Sequence, residues 1–502
     1  MSNEPLKIAF TGVYDIANYG DHLFPIIFDK IMKMKGLNIK LYLFSPVGGT
    51  QSLSLNEIVY PLNEMESLHL KHNFDVIIVG GGGIFHYASG QQKIKRDSDE
   101  FVDYPVFETW VIPSIVAYKH NIKLIWNLLG GYHDFSPFYQ KLTQALCDPI
   151  DYISVRDNYT KKILTDSGIE DTFINVFPDS AFMMTECIPR EIIEKSLNNL
   201  RNSDKEYIVY HANRFLPKSA IPDVVKSLDY FYNLGFEIIL LPLAYTHDDE
   251  SILREINQNA DSRYTLYEKE LNMYEIMSML AGCHAYIGVS FHGAITAACH
   301  GKKVVAFDYM LNGKTKDLFK MLDLQDYYIT DSNCLYERTV HCHKNMSPVI
   351  LDDKIASLHQ HFDTIIDLLV STKTREKGSD NFLINFSNTI SNINKSFSTL
   401  QSEFSQLDNL SRDTHIKYVE LQDKHAELCK LNIELKDNLN TFSRDNNELQ
   451  DTFNALQLQN KELFKQKSDA EKWIDEMKKS RTYNLIKTIN NIKLKIKNAL
   501  IK

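Results

Sequence analysis

Short apolar runs alternate along most of the chain with longer stretches whose apolar residues recur every three or four positions. "LKIAFTG", "FDVIIVGGGG", "IKLIWNLLGG" and "DYISVRD" are short, β-branched and bounded by Gly or polar residues, which predicts buried strands. "HLFPIIFDKIMKMKG" has the wider helical period. A second set begins after about residue 200, with strands in "EYIVYHANR", "GFEIILLPLA", "HAYIGVS" and "KKVVAFDY" and helices in "IPDVVKSLDYFYNLG" and "MYEIMSMLAGC". Strand–helix alternation predicts parallel sheets covered on both faces, here as two Rossmann-like units in succession. Ligands of such sheets gather beyond the carboxyl ends of the strands, so the cleft between the units is the place to look for chemistry.

From about Phe386 the pattern changes. Gly and Pro vanish and the apolar period tightens to alternating three and four. With Ile390 at a, leucine fills eight d positions between Leu400 and Leu463, and Asn432, Asn446 and Asn460 fall at a. Leucine at d with a buried Asn at a favours a parallel two-stranded coiled coil, because the Asn pair fixes register at some cost in stability. His425 and Lys467 at a weaken the seam, and a long helix folded back on the globular part is the alternative. After Glu476 there is no acidic residue and eight Lys or Arg, with Leu485, Ile489, Ile492, Ile496 and Leu500 on one helical stripe. That combination predicts an interfacial helix for anionic lipid; a solvated basic end packed on the acidic body is the alternative. The expected domains are therefore 1–185 and 186–370 with a return helix, a linker 371–385, a coiled coil 386–478 and a basic amphipathic tail 479–502.

Composition changes this picture little. The chain of 502 residues is 44% hydrophobic and carries a net charge of −10, which argues against a general nucleic-acid binder. Seven cysteines without a CxxC pair suggest neither a disulfide framework nor a structural zinc site. The sequence from Met1 enters a strand pattern with no basic and apolar leader, and no run reaches the ~18 apolar residues of a membrane span, so a cytoplasmic location is expected.

Strand ends supply the candidate residues. Asn18 and Asp21 in "DIANYGD" follow the first strand and either line a site or cap the next helix. Gly80 to Gly83 form either a tight turn or an anion cradle, to which any following helix would add its N-terminus; there is no GxGxxG spacing or Walker lysine to indicate a nucleotide. Arg156 and Asp157 end a strand, where the arginine would fork onto a carboxylate or phosphate or the pair would cap the helix. Asp179, His211, Asn213, Arg214, His247 and Asp248 lie at comparable positions. In "VSFHGAITAACHG" the strand stops on His292, with Gly293 allowing close approach and a small-residue helix pointing its N-terminus at the same place. A histidine so placed is either a satisfied structural residue or a general acid.

Taken in order, "NYGD", "VGGGG", "SVRD", "FPDSAF", "SFHGAI" and "DYMLNGK" resemble the polysaccharide pyruvyl transferase family over about residues 7–330. The resemblance implies a glycosyltransferase-B-like pair of Rossmann-like domains that moves the pyruvyl group of phosphoenolpyruvate onto two hydroxyls of one sugar. It implies phosphoenolpyruvate as substrate, no cofactor and no metal. Catalysis would fall to His292, as acid or phosphate-facing donor, and to Asp21 as a base. Arg156 would clamp the donor, helped by Lys314, Arg214, Ser290, Gly293, Gly81, Gly82 and Gly83. Asn18, His86 and Asp179 would line the acceptor side. Many members carry an arginine two residues before the motif histidine where this chain has Ser290, so Arg214 or Lys314 would have to compensate. With the tail, the expectation is a parallel homodimer peripheral on the inner face of the plasma membrane, acting on a lipid-linked glycan. A nucleotide-sugar glycosyltransferase and a non-catalytic coiled-coil scaffold are the rival readings.

Overall fold

A computed structural model describes residues 4–49, 57–87, 93–95, 101–311, 313–371 and 446–479. They fall into two compact units, divided after Phe386.

The first unit holds two α/β domains. In chain order the strands of the first are β1 (Leu6–Thr11), β2 (Ile39–Ser45), β3 (Val59–Pro61), β4 (Val76–Val79), β5 (Gly82–Phe85), β6 (Lys93–Lys95), β7 (Phe101–Asp103), β8 (Lys123–Gly131), β9 (Tyr152–Val155) and β10 (Ile174–Val176). Seven of them pair in the order β10-β9-β8-β4-β1-β2-β3, all parallel, while β5 joins the end of β8 and β6–β7 form a separate antiparallel ribbon. The second domain has β11 (Tyr207–His211), β12 (Glu237–Leu240), β13 (Thr265–Leu266), β14 (Ala285–Gly288), β15 (Lys303–Phe307) and β16 (Tyr328–Ile329), parallel in the order β13-β12-β11-β14-β15-β16. Both sheets are doubly wound. This is the pair of successive Rossmann-like domains expected from the sequence.

Local chemistry explains the elements. All nine residues of β8 are buried, as a central parallel strand covered on both faces demands. The helix Ile221–Asn233 starts with Pro222 in its first turn and buries Ile221, Val224, Val225, Leu228 and Phe231 on one stripe. Asn272 and Glu275 close a reciprocal capping box on the helix Met273–Gly282. After β16 the chain returns through the helix Asp352–Val370, where His361 bonds Asn127 at 2.8 Å and Tyr152 at 3.2 Å, so the last helix of the unit docks on the first domain.

Each sheet reverses winding direction once: between β1 and β4 in the first, between β11 and β14 in the second. Strand connections diverge at these points and leave a crevice at the carboxyl edge. The strongest sequence candidates lie at these two places.

Among the described residues of the second unit is one helix, Asn446–Lys479. Leu456, Asn460, Leu463 and Lys467 are half-buried, whereas Leu458 and Phe464 are exposed. These half-buried residues are the a and d positions of the heptads. The rest of the coiled-coil expectation, residues 386–445, lies outside the described residues, as does the basic tail beyond Lys479. No described helix is long and apolar enough to cross a membrane.

Candidate active site

The first crevice begins where β1 ends. Asn18 takes the capping role, its side chain accepting the Gly20 amide at 3.2 Å to start the helix Tyr19–Met34. Asn18 also bridges Ala244 of the second domain, and the Tyr19 amide donates to Leu243 O at 2.9 Å. With Tyr19 OH 2.8 Å from Thr296 Oγ1, these bonds pin the start of the helix to the other domain. Asp21 therefore sits at the domain boundary, in the first turn of a helix whose dipole favours its negative form.

The glycine run is built differently from a phosphate loop. No helix follows it: β5 does, pairing with β8. Gly82, at φ +110°, turns the chain back into the sheet, so no helix N-terminus is added to the run. A side chain at Gly81 would strike the Phe24 ring, one at Gly82 would meet Asp21 Oδ1, and one at Gly83 would strike the Tyr132 hydroxyl. The run is bare so that Asp21 and Tyr132 can lie against its backbone.

The second crevice supplies His292. Ser290 accepts the Gly293 amide at 3.2 Å and caps the helix Phe291–Cys299. His292, in the first turn, lies on Gly20 so closely that a methyl group there would overlap its Nδ1. Phe24 packs edge-on at 5.3 Å. His292 Nε2 is 3.5 Å from Asp179 Oδ2. Asp179 is itself 1% exposed and also takes the Arg156 guanidinium at 2.8 Å and the Ala181 amide at 2.9 Å.

Two sequence expectations change here. Arg156 was expected against the donor and Asp179 against the acceptor, but both side chains are only 1% exposed and face each other. Arg156 lies beneath Phe291, its guanidinium 4.5 Å from the ring centre. The pair forms a buried platform under His292. Lys314 occupies the open side instead: its Nζ is 3.1 Å from Tyr132 OH and 4.2 Å from the Tyr132 ring centre, spanning the two domains. His86 is buried and packs at a tilt against Tyr132, ring centres 5.2 Å apart, which places it behind the cleft wall. Gly293 is bare because Tyr286 and Leu243 fill the space a side chain would need. Arg214 stacks on Phe215 at 4.9 Å and reaches His247 O at 3.3 Å.

Electrostatics separate the two central groups. Burial pushes the Asp21 carboxyl up to about 7, with Asp179 adding to the rise and Lys314 and Arg156 opposing it. Burial pushes His292 below its ordinary value, against the pull of Asp179 and with the help of Arg156 and Lys314. Asp179 moves the other way: burial is outweighed by His292 and Arg156, which hold it well below the usual carboxylate range. Near neutrality the site thus contains a carboxyl retaining much of its proton, a neutral imidazole and a fixed carboxylate behind it. Pairs of titratable groups driven apart in this way are the mark of assigned acid and base roles.

Sequence reading missed Tyr132, Phe291 as the cover on Arg156, and Asp249. Asp249 is 1% exposed and accepts the Ala244 amide at 2.8 Å and the Leu243 amide at 3.3 Å, shaping the loop that meets Asn18 and Tyr19. Burial raises its carboxyl to about 8, these two amides partly opposing. The folded chain then holds a proton that the unfolded chain releases near pH 4, so this group makes stability fall as pH rises from about 4 to about 8. Asp249→Asn keeps an acceptor for the two amides. It is expected to match the wild type in thermal unfolding at pH 4.5 and to exceed it at pH 9 by about 2–4 kcal/mol. Equal stability of the two at pH 9 would show that Asp249 ionises there without penalty.

Two doubly wound α/β domains thus meet at their switch points around a buried carboxyl, a histidine and a bridging lysine, which form a candidate interdomain site. The sequence model of the polysaccharide pyruvyl transferase family matches residues 18–310, and the chain belongs to that family, a family of transferases. No curated protein matches the sequence. Among solved structures the chain is similar to the UDP-GlcNAc 2-epimerase from Methanocaldococcus jannaschii (12% identity, 72% of this chain and 100% of that one, TM-score 0.48). It is also similar to the UDP-GlcNAc 2-epimerase from Neisseria meningitidis bound to UDP-GlcNAc (12%, 71% and 99%, TM-score 0.46). A third similar structure is a glycosyltransferase from Rickettsia africae (12%, 74% and 100%, TM-score 0.41).

Proposed function

We propose that this chain transfers the pyruvyl group of phosphoenolpyruvate to two hydroxyls of one sugar, forming a cyclic ketal and releasing phosphate, during surface polysaccharide assembly. The observation carrying this reading is the convergence of Asp21, His292 and Lys314 at the domain boundary of a member of this family. The reaction requires a proton on the methylene carbon of the enol phosphate, which leaves an oxocarbenium carbon. One sugar hydroxyl adds to that carbon and gives up its proton; the C–O bond to phosphate then breaks, and the second hydroxyl closes the ring and loses its own proton. Asp21, protonated up to about pH 7, supplies the first proton. His292, kept neutral, accepts the hydroxyl proton. These roles invert the ones implied by family resemblance, because burial moves the two groups in opposite directions. His292 Nε2 lies 3.5 Å from Asp179 Oδ2, and that carboxylate stabilises the imidazolium that forms. Lys314 holds the donor's phosphate or carboxylate from the open side, with Arg214 across the loop.

The test is acceptor-dependent phosphate release from phosphoenolpyruvate by the purified chain. Absence of release, together with thermal protection by a nucleotide sugar, would assign the chain to glycosyl transfer instead.

We further propose that the chain is a parallel dimer through residues 386–478, cytoplasmic and held at the inner membrane face by the tail 480–502, which suits a lipid-linked acceptor. The full chain is expected to sediment at twice its monomer mass and a chain ending at residue 385 at the monomer mass. A monomeric full chain would remove the coiled coil from this account.

A further inference from the structure

Two loops at the mouth of the cleft carry large apolar side chains in the open. Phe215 is 52% exposed, Met310 40% and Leu311 70%. They follow β11 and β15, on the carboxyl edge that also bears the site. The loops are fastened together: the Tyr309 hydroxyl accepts the Asn213 amide at 2.9 Å and bonds Asn213 Oδ1 at 2.9 Å, while Asn213 Nδ2 lies 3.3 Å from Met310 Sδ. The Phe215 amide closes the other side on Asn213 Oδ1 at 3.1 Å.

Leu311 holds a left-handed backbone, φ 56°, with its amide bonded to Asp308 O at 3.2 Å. This conformation costs a bulky residue of order 1 kcal/mol or more, and here it keeps leucine outside the core rather than in it. Internal packing does not account for such a side chain.

The exposed Lys316 and Lys320 follow Leu311 with Asp317 between them, while Arg214 stacks on Phe215 with Asp249 and Asp248 near it and Lys218 pairs with Glu255 at 3.1 Å. The chain as a whole carries −10, so the two exposed lysines run against the overall balance. Apolar tips with the exposed Lys316 and Lys320 beside them match a surface that is hydrocarbon within and anionic at its face.

We propose that Phe215, Met310 and Leu311 form a lip that docks on an anionic lipid bilayer, with the apolar tips among the headgroups and Lys316 and Lys320 on phosphate. The contact is separate from the basic tail and turns the cleft mouth toward the membrane. That orientation suits the lipid-linked acceptor proposed above, but the docking rests on the lip alone and its test needs no catalysis.

The test is flotation of the purified full chain with vesicles of phosphatidylglycerol and phosphatidylcholine, and with phosphatidylcholine alone. Phe215→Ser/Met310→Ser/Leu311→Ser is expected to lower partitioning onto the anionic vesicles about tenfold or more, with unchanged thermal unfolding because the three side chains are already exposed. A chain ending at residue 479 is expected to keep part of its binding and to lose it when the three serines are added. Wild-type partitioning by the serine variant overturns the proposal, as does failure of the wild type to bind anionic vesicles. A serine variant that floats normally yet loses affinity for a water-soluble glycan overturns it too, and assigns the lip to the sugar.

Discussion

His292→Ala is expected to lower acceptor-dependent phosphate release by about 10²–10⁴-fold, the range for removing a positioned acid or base. The loss should fall on kcat more than on KM, since the imidazole contributes mainly when a proton moves. The pH profile gives a sharper readout. Wild-type activity requires Asp21 protonated and His292 neutral, so it should fall above about pH 7 as Asp21 ionises, and on the acid side as His292 gains its proton below its ordinary value. The alanine variant keeps the alkaline limb and loses the acid one. Stability should change little, because Asp179 retains Arg156 and the Ala181 amide. A variant keeping a tenth of wild-type activity would remove His292 from the chemistry.

Asp179→Ala is expected to cost about 3–5 kcal/mol in urea unfolding, a larger effect on stability than any surface substitution would have. The reason lies in what remains. Arg156, 1% exposed beneath Phe291, would keep its charge with its nearest other carboxylate, Asp157 Oδ2, 3.8 Å from Nε. Because the folded Asp179 carboxyl lies below its unfolded value, its contribution is fully present above about pH 4 and is lost as pH falls through the folded value. The gap between wild type and variant should therefore narrow in acid. Arg156→Met in the same chain should recover part of the loss, since no buried charge would then stand alone. Full stability in the single variant would mean that water reaches Arg156.

The outline of the fold was legible because parallel strands buried on both faces read as unbroken apolar runs. All eight runs singled out in the sequence are strands, and β14 ends where "SFHGAI" places His292 beside a helix N-terminus. The short edge strands β3, β10, β13 and β16 have two or three residues each, too few for a period to show. The site was only half legible. His292, Asp21 and Lys314 stand at strand ends and could be found. Arg156 and Asp179 could be found as well, but not their burial, which depends on Phe291 arriving from the other domain. Tyr132 and Asp249 carry no local signal, because what marks them is Lys314 and the Leu243–Ala244 amides.

Periodicity and composition, which are local properties, suffice for two doubly wound domains, the strand ends that bear the chemistry and a heptad-patterned segment after residue 386. Proton affinities are not local. Asp21 rises to about 7 and Asp179 falls because of how much water each has lost and which charges come near, and both follow from the meeting of two domains whose contacting residues, such as Asn18 and Ala244, lie far apart along the chain.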